Sequence, residues 1–588
     1  MQDSSRLIPR TSRVLGSFAV LFAISSRAAQ RRRSLILLAA AMIAAAMTVR
    51  AQTSAALVEA ANNNAWHVPV SANLAPHFEQ ANGRKILYVD GYPFTVLAVE
   101  IPWWDLIIGH YHETQGAYDY LYPAAERIGL NALKVPVKWS MVEPEKGRYD
   151  FSYVDHAKAL AEQHRLKLVL NWFGHYASGD GTLYNNLTGA VYAPMYIIED
   201  EKTYPRPVDG DGVVHHNVAS YDYDAIIERE IAAFRAFMQH LKDVDSTTHT
   251  VIMIQVENEI STFGSDRHNP KLWRDHSPQS NKIFQQQGFT DDLKYSAERF
   301  SSNWIRRLTD AGAEVYPLPF FHNYVGGKVA EWMTGGAPGE DVATYLKNCP
   351  NLSFIGVNSY FCAEWTPDNN CAKPAQGTIE ELRKPLMRYR VGRNLPAITE
   401  TNSGASSIAS RLAYIAIGEF GAPIFAPWAL TDSYPEPYEP YVRHDGTLAN
   451  GAFALRDAYT SIRKALPQIS FYAASDDLKV FMSEMPGQIF SRNEEIGESS
   501  VSVKGAHDGQ AIVIHTRGHE FLIAGFRASV DIKDATLTWP TIRGVRVQRV
   551  RWNGSDWAND GEPQYDMNQS ARSISIALDV PEAVMVSW

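Results

Sequence analysis

Cysteine is scarce in this 588-residue chain: three residues, Cys349, Cys362 and Cys371, all within a 23-residue stretch. That excludes a disulfide-built scaffold. There is no CxxC, no HExxH and no paired-histidine motif, so nothing points to a metal, and no cofactor is expected. No GxSxG stands between a strand and a helix, which argues against a serine hydrolase. An excess of basic residues is also missing, since the formal net charge is −10. An acidic chain lacks the surface that nucleic acid or anionic lipid requires, whereas a neutral polymer such as a polysaccharide is compatible. Apolar runs are short too. The longest near the start, Leu35 to Val49, is below the roughly 18 residues of a membrane span.

That run has its own meaning. Arg31, Arg32 and Arg33 precede it and Val49-Arg50-Ala51 follow it, the order of an export signal cut after Ala51. Residues 1–51 are therefore expected to be a leader, with the remainder periplasmic or extracellular and without a stable membrane anchor. The leader holds eight arginines and one aspartate, so the charge of the remainder would fall from −10 to −17. In an exported protein Cys362 and Cys371 have the shorter span to close a loop, with three free thiols as the alternative.

What the chain has is alternation. Strand-like runs stand at FTVLAVE (Phe94–Glu100), ALKVPV (Ala132–Val137), LKLVLNW (Leu166–Trp172) and VIMIQVENE (Val251–Glu259). Four more follow: VYPLPFF (Val315–Phe321), FIGVNSY (Phe354–Tyr360), PAITE (Pro396–Glu400) and PIFAPW (Pro423–Trp428). Amphipathic stretches lie between them, for example Asp155–His164, Tyr223–Leu241 and Leu293–Asp310, and Gly451–Leu466 would close the series. Eight such units predict an α/β fold, a (β/α)8 TIM barrel over residues 52–470. Gly174 to Val218 is a long insertion after the third strand, expected over the barrel mouth. Its GDGTLY and DGDG pieces read as turns rather than calcium loops. After about Ser475 the pattern becomes short strands divided by turns: AIVIHTRG, EFLIAGF, SVDIKD, TLTWP, GVRVQRVRW, SISIAL and AVMVSW. Residues 471–588 are thus expected to be a small C-terminal β-sandwich.

Two of the barrel strands end on glutamates, Glu259 on the fourth and Glu400 on the seventh. Barrel enzymes place catalytic groups at strand ends. Cleavage of a glycosidic bond needs an acid for the leaving oxygen and a carboxylate across the anomeric carbon. Glu257 is a rival acid two residues before Glu259 and of the same strand parity, but its deeper place favours a residue that supports the site from within the barrel. Trp428, at the end of the eighth strand, offers a ring either to a sugar's apolar face or to barrel packing. Trp172, Tyr176 and Tyr184 are weaker candidates for the same stacking. Glu100, closing the first strand, is a hydroxyl acceptor or half of a buried ion pair. Tyr360, at the end of the sixth strand, is a candidate donor to the Glu400 carboxylate.

QVENE (Gln255–Glu259), KWSMVEPEKGRYDF (Lys138–Phe151), YPRPVDGDGVV and the WRDH region resemble glycoside hydrolase family 35 of clan A. The resemblance is to its bacterial β-galactosidases with a small all-β C-terminal domain. It implies that Glu259 is the general acid/base, Glu400 the nucleophile, and that Asn258 bonds a sugar hydroxyl beside the scissile bond. Glu143, in VEP, matches a position that binds terminal galactose hydroxyls. The expectation is a retaining, exo-acting β-galactosidase on oligo- or polysaccharides, for instance xyloglucan fragments. The alternatives are a retaining clan A β-glycosidase of other sugar preference and a catalytically dead carbohydrate-binding barrel. Oligomeric state is not legible.

Overall fold

The computed structural model describes residues 68–102, 118–174, 184–185, 190–216, 218–263, 269–325, 342–365, 371–401, 408–431, 440–443, 445–539 and 541–588. The expected leader and Tyr176 lie outside the described residues, as does the side chain of Tyr184. Eight strands form one parallel sheet: β1 (Val96–Leu97), β2 (Ala132–Lys138), β3 (Lys167–Phe173), β4 (Val251–Val256), β5 (Phe320–Val325), β6 (Leu352–Ser359), β7 (Ile398–Thr401) and β8 (Ile424–Phe425). Each pairs with its sequence neighbour, and β8 returns to β1. The ring closes between β1 and β2, where Ile101 N–H donates to the Lys134 carbonyl at 2.9 Å. Valine, leucine and isoleucine dominate these strands because both faces are buried, the inner by the barrel and the outer by helices.

Among the described residues a helix packs after each strand, the main ones being α1 (Leu121–Ile128), α2 (Ser152–Gln163), α3 (Asp224–Asp245), α4 (Asp292–Arg299), α5 (Val342–Asn348), α6 (Ile379–Tyr389), α7 (Ile408–Tyr414) and α8 (Asn450–Lys464). The stretch read as one helix from Leu293 is broken by a π-helical turn at Phe300–Ile305 before resuming at Arg306–Val315. The fold is therefore the expected (β/α)8 barrel. Its fifth strand lies further along than the sequence pattern suggested, at Phe320–Val325 instead of Val315–Phe321. Pro317 and Pro319 cannot donate to a ladder, so pairing begins only beyond them. The DGDG piece is a turn: Asp209 accepts the backbone N–H groups of Asp211 and Val213 and faces His215 at 2.9 Å.

The C-terminal part is a single nine-stranded sheet folded over on itself. Its strands are β9 (Leu478–Met482), β10 (Phe490–Ile496), β11 (Ser499–Arg517), β12 (Glu520–Lys533), β13 (Arg546–Trp552), β14 (Trp557–Asn559), β15 (Gln564–Asn568), β16 (Ser573–Leu578) and β17 (Glu582–Ser587). The first half of β11 pairs with β10 and its second half with β9; β12 divides likewise between β17 and β16. A register shift between Gly505 and Gln510, and left-handed φ at Asp508 and Arg527, mark the fold line. Beyond Arg527 the inward set on β12 changes from Phe521 and Ile523 to Val530 and Ile532. The two halves thus bury a common core with Val501, Val513, Ile576 and Val584, a sandwich made by bending one sheet. EFLIAGF and SVDIKD are consequently one strand rather than two, and TLTWP is not a strand. Its outer face docks on the barrel. Buried Arg411 of α7 donates to the Ser483 carbonyl at 2.9 Å and to Glu484 at 3.2 Å, and Arg527 pairs with Asp457 of α8 at 2.5 Å.

Candidate active site

The inward positions of the barrel strands carry the polar residues that interrupt otherwise apolar runs. These are Lys134 on β2, Asn171 on β3, Asn323 on β5, Asn358 on β6, and Thr399 and Glu400 on β7, each essentially buried. Such groups persist in a core only when hydrogen-bonded or paired. Here they form one network around two carboxylates. Asn358 donates to Glu259 at 2.6 Å, while its own oxygen accepts from Thr399 at 2.7 Å and Asn323 at 3.2 Å. Asn323 Nδ2 also lies 2.7 Å from Asn258 Oδ1 and 3.4 Å from Glu400. Its oxygen accepts the backbone N–H of Glu259 at 3.0 Å. Glu259 and Glu400, 141 positions apart in the chain, are therefore spanned by two asparagine side chains.

Their surroundings differ. Glu400 accepts Tyr360 Oη at 2.6 Å and has Lys134 Nζ at 3.7 Å. Burial raises its pKa, opposed by Lys134 and by the hydrogen bonds from Tyr360, Asn358 and Asn323. Glu259 is raised well above the ordinary carboxyl value, first by burial and then by the charge of Glu400, with only Asn358 and the more remote Lys134 opposing. The upward push is thus the stronger on Glu259. Two neighbouring carboxyl groups in such different surroundings are candidates for unlike roles.

Glu100 is the ion-pair half of its two readings. It accepts Lys134 at 2.6 Å and Asn171 at 3.0 Å, fully buried, and burial takes its pKa to about 7. It steadies the lysine that faces Glu400. Asn258 accepts from Gln255 at 2.9 Å and from Asn323, and its amide nitrogen has no partner among the described residues. A buried free donor beside the carboxylates suits a ligand oxygen. Trp428 is 6% exposed and packs with Phe173, Tyr192 and Ala429, Tyr360 lying against the group.

Three sequence candidates are placed elsewhere. Glu143 is engaged by the protein: it accepts Trp139 Nε1 at 2.9 Å, the Gly147 N–H at 2.6 Å and Tyr196 Oη at 2.9 Å, and is ion-paired with Arg229 of α3. Both of its oxygens are thus engaged by the protein. Trp172 points outward, its indole N–H on Glu230 at 2.9 Å and its rings against Phe234 and Phe237 of α3. Glu257 turns away from Glu259. Both have left-handed φ, 60° and 46°, which breaks the strand parity that would align them. Glu257 meets Glu230 of α3 instead.

Cys362 is disulfide-bonded and Cys349 is buried and free. Among the described residues no group of three or more His, Cys, Asp or Glu could hold a metal ion, and no helix is long and apolar enough to cross a membrane. A cavity of about 540 Å³ lies at the other end of the barrel, lined by Asn131, Lys167, Arg463 and Trp552 among others; neither Glu259 nor Glu400 borders it.

No family profile and no curated protein sequence matches the chain. Among solved structures it is similar to the β-galactosidase of the psychrophilic Marinomonas ef1 (14% identity, 63% of this chain and 60% of that one, TM-score 0.43). It is also similar to the β-amylase catalytic domain of Paenibacillus polymyxa (10%, 61% and 96%, 0.46). A third is the exo-β-1,4-mannosidase Op5Man5 of an Opitutaceae bacterium, strain TAV5 (16%, 67% and 62%, 0.40). The chain thus spans less than two thirds of the first of these, and at such identities none of them assigns it a substrate.

Proposed function

We propose that this chain is a retaining glycoside hydrolase that removes terminal β-galactosyl units from oligo- or polysaccharides. The observation that carries the reading is the buried Glu259–Glu400 pair, with burial and the neighbouring charge favouring the protonated form of the first and three donors aimed at the second. Glu400 would attack the anomeric carbon as the glycosidic C–O bond breaks, and Glu259 would pass its proton to the leaving oxygen. Water then attacks the same carbon, gives a proton to the Glu259 carboxylate and frees Glu400. The charge that builds on the sugar is balanced by Glu400, and no cofactor is needed. Asn258 would donate to a hydroxyl next to the scissile bond, and Trp428 would lie under the ring. With the expected leader, the substrate is met outside the cytoplasm.

The galactosyl preference rests on the motif resemblance. Both oxygens of Glu143, the residue that best explained it, are engaged by the protein, which favours, as a second reading, a retaining β-glycosidase of other sugar preference. A panel of chromogenic aryl β-glycosides decides between them, with proton NMR of the first product formed. Fastest turnover of the β-galactoside, with β-galactose appearing before its α anomer, supports the first reading. Preference for another β-glycoside supports the second, and early α product or no turnover on any member contradicts both.

A further inference from the structure

The cavity of about 540 Å³ at the barrel end away from Glu259 and Glu400 is lined by six cationic side chains. They come from separate elements. Arg127 stands in the last turn of α1, Arg165 and Lys167 at the junction of α2 and β3, Arg463 and Lys464 at the end of α8, and Arg551 on β13. Such a gathering runs against a composition of 65 acidic and 55 basic residues. Three of the six have carboxylate partners: Lys167 pairs with Asp90 at 2.7 Å, and Lys464 and Arg551 share Asp560 at 2.5 and 3.5 Å. Arg127, Arg165 and Arg463 have no ion pair among the described residues. Arg127 donates to the Gly446 carbonyl at 2.5 Å and Arg463 to the Leu130 carbonyl at 3.1 Å, neutral acceptors that leave each charge in place.

The surroundings do not cancel those charges. Each of the three arginines lies at a helix C-terminus, where the dipole favours a cation, but a helix end amounts to only about half a negative charge. Glu126, on the cavity wall, acts on Arg463 from beyond contact and lies 3.6 Å from His164; Asp556 acts on Tyr92 from the sandwich side. Cations therefore still outnumber carboxylates. Burial holds the Arg463 pKa below the ordinary guanidinium value, the mark of a cation short of compensation. The lining also carries rings: half-buried Trp552 meets Tyr92 at 67°, with centroids 4.9 Å apart.

We infer that this cavity is a second binding site that takes a small acidic saccharide, its carboxylate held by Arg127, Arg165 and Arg463 and a sugar ring laid against Trp552. The planar guanidinium fork matches a carboxylate, and an indole face suits the apolar C–H face of a sugar. The volume falls within the range of about 300–1,000 Å³ usual for small-ligand sites. The anion half of the assignment rests on the arginines alone, and the saccharide half rests on the proposed function. Because α1, α8 and the turn after β13 all border the cavity, an occupant would bridge barrel and sandwich and raise Tm.

Calorimetric titration of the full chain with digalacturonate tests this. It should give one binding event per chain that survives Glu400→Gln. Arg127 and Arg165 are exposed, so Arg127→Gln and Arg165→Gln should leave the unliganded Tm and the turnover of aryl β-glycosides unchanged. Each should weaken digalacturonate binding about fivefold or more, and Trp552→Ala should do likewise. Neutral galactobiose should bind about tenfold more weakly or worse. Inorganic sulfate is the bare-anion control: binding as tight as digalacturonate, with Trp552→Ala without effect, overturns the saccharide assignment. No binding of either anion, or unchanged affinity in both arginine variants, overturns the site. Binding abolished by Glu400→Gln would put digalacturonate in the barrel mouth and overturn it too. Binding as expected, with no turnover of any glycoside by wild type, keeps this site and rejects the proposed function instead.

Discussion

Replacement of Lys134 by methionine probes the electrostatics of the pair at their source. The lysine is fully buried, 2.6 Å from Glu100 and 3.7 Å from Glu400. At an effective dielectric of 20, a unit charge at that distance from Glu400 contributes about 4 kcal/mol to its ionised form, equivalent to about three pKa units. Part of this returns in the variant. Glu100, whose pKa is already raised to about 7, takes up a proton once its cation is gone and ceases to repel Glu400. A net rise at Glu400 remains, smaller than the full Coulomb term. The nucleophile must be ionised, so the acid limb of kcat/KM moves upward by that amount. Glu259 also loses a favourable cation, so its pKa rises as well and the alkaline limb follows, by less. The pH–rate bell is expected to shift bodily to higher pH and narrow from its acid side. Removing one partner of a buried ion pair also costs about 3–5 kcal/mol of stability, visible as a lower Tm. Stopped assays across pH 4–10, scored beside circular dichroism at each pH, give both readouts. An acid limb that stays in place while the variant remains folded would refute the assignment of Lys134 as the counter-ion of Glu400.

Asn358→Ala removes the 2.6 Å donor to Glu259 and the link to Thr399; the Glu259 pKa then rises, and the alkaline limb of kcat/KM is expected to move up with a loss of about tenfold or more in kcat, checked by the same pH series. Arg411→Met strips the Ser483 and Glu484 carbonyls of their buried donor at the junction of barrel and sandwich; a cost of about 2–4 kcal/mol is expected in urea unfolding, with the pH profile of the remaining activity unchanged.

The barrel was legible because its strands are apolar, β-branched runs at regular spacing, and the two glutamates were legible because they end such runs. The positions that organise them were not. Lys134 in ALKVPV, Asn171 in LVLNW, Asn323 after VYPLPFF and Asn358 in FIGVNSY each read as an imperfection in a strand. A lone polar residue inside a run buried on both faces is itself a signal, since burial without a partner is too costly to persist. Asn323 was missed for a second reason: the prolines at 317 and 319 drew the fifth strand too early, leaving His322 and Asn323 outside it. Glu143 shows the opposite case. A motif match cannot reveal that Trp139, Gly147, Tyr196 and Arg229 already occupy the carboxylate. Strand parity misplaced Glu257 because left-handed φ values are invisible in a periodicity argument. In the sandwich, the bend near Asp508 and Arg527 disguised one long strand as two.

The division of labour between the two carboxylates is tested most directly by trapping the intermediate. In an activated 2-deoxy-2-fluoro-β-galactoside the fluorine slows both displacements while the good leaving group restores the first, so a covalent glycosyl-enzyme accumulates. Mass spectrometry of the intact protein followed by peptide mapping should find one sugar per chain, esterified to Glu400, with activity recovering as the ester hydrolyses. An adduct on Glu259 or Glu100, or an enzyme that hydrolyses β-galactosides yet never forms an adduct, would contradict the account.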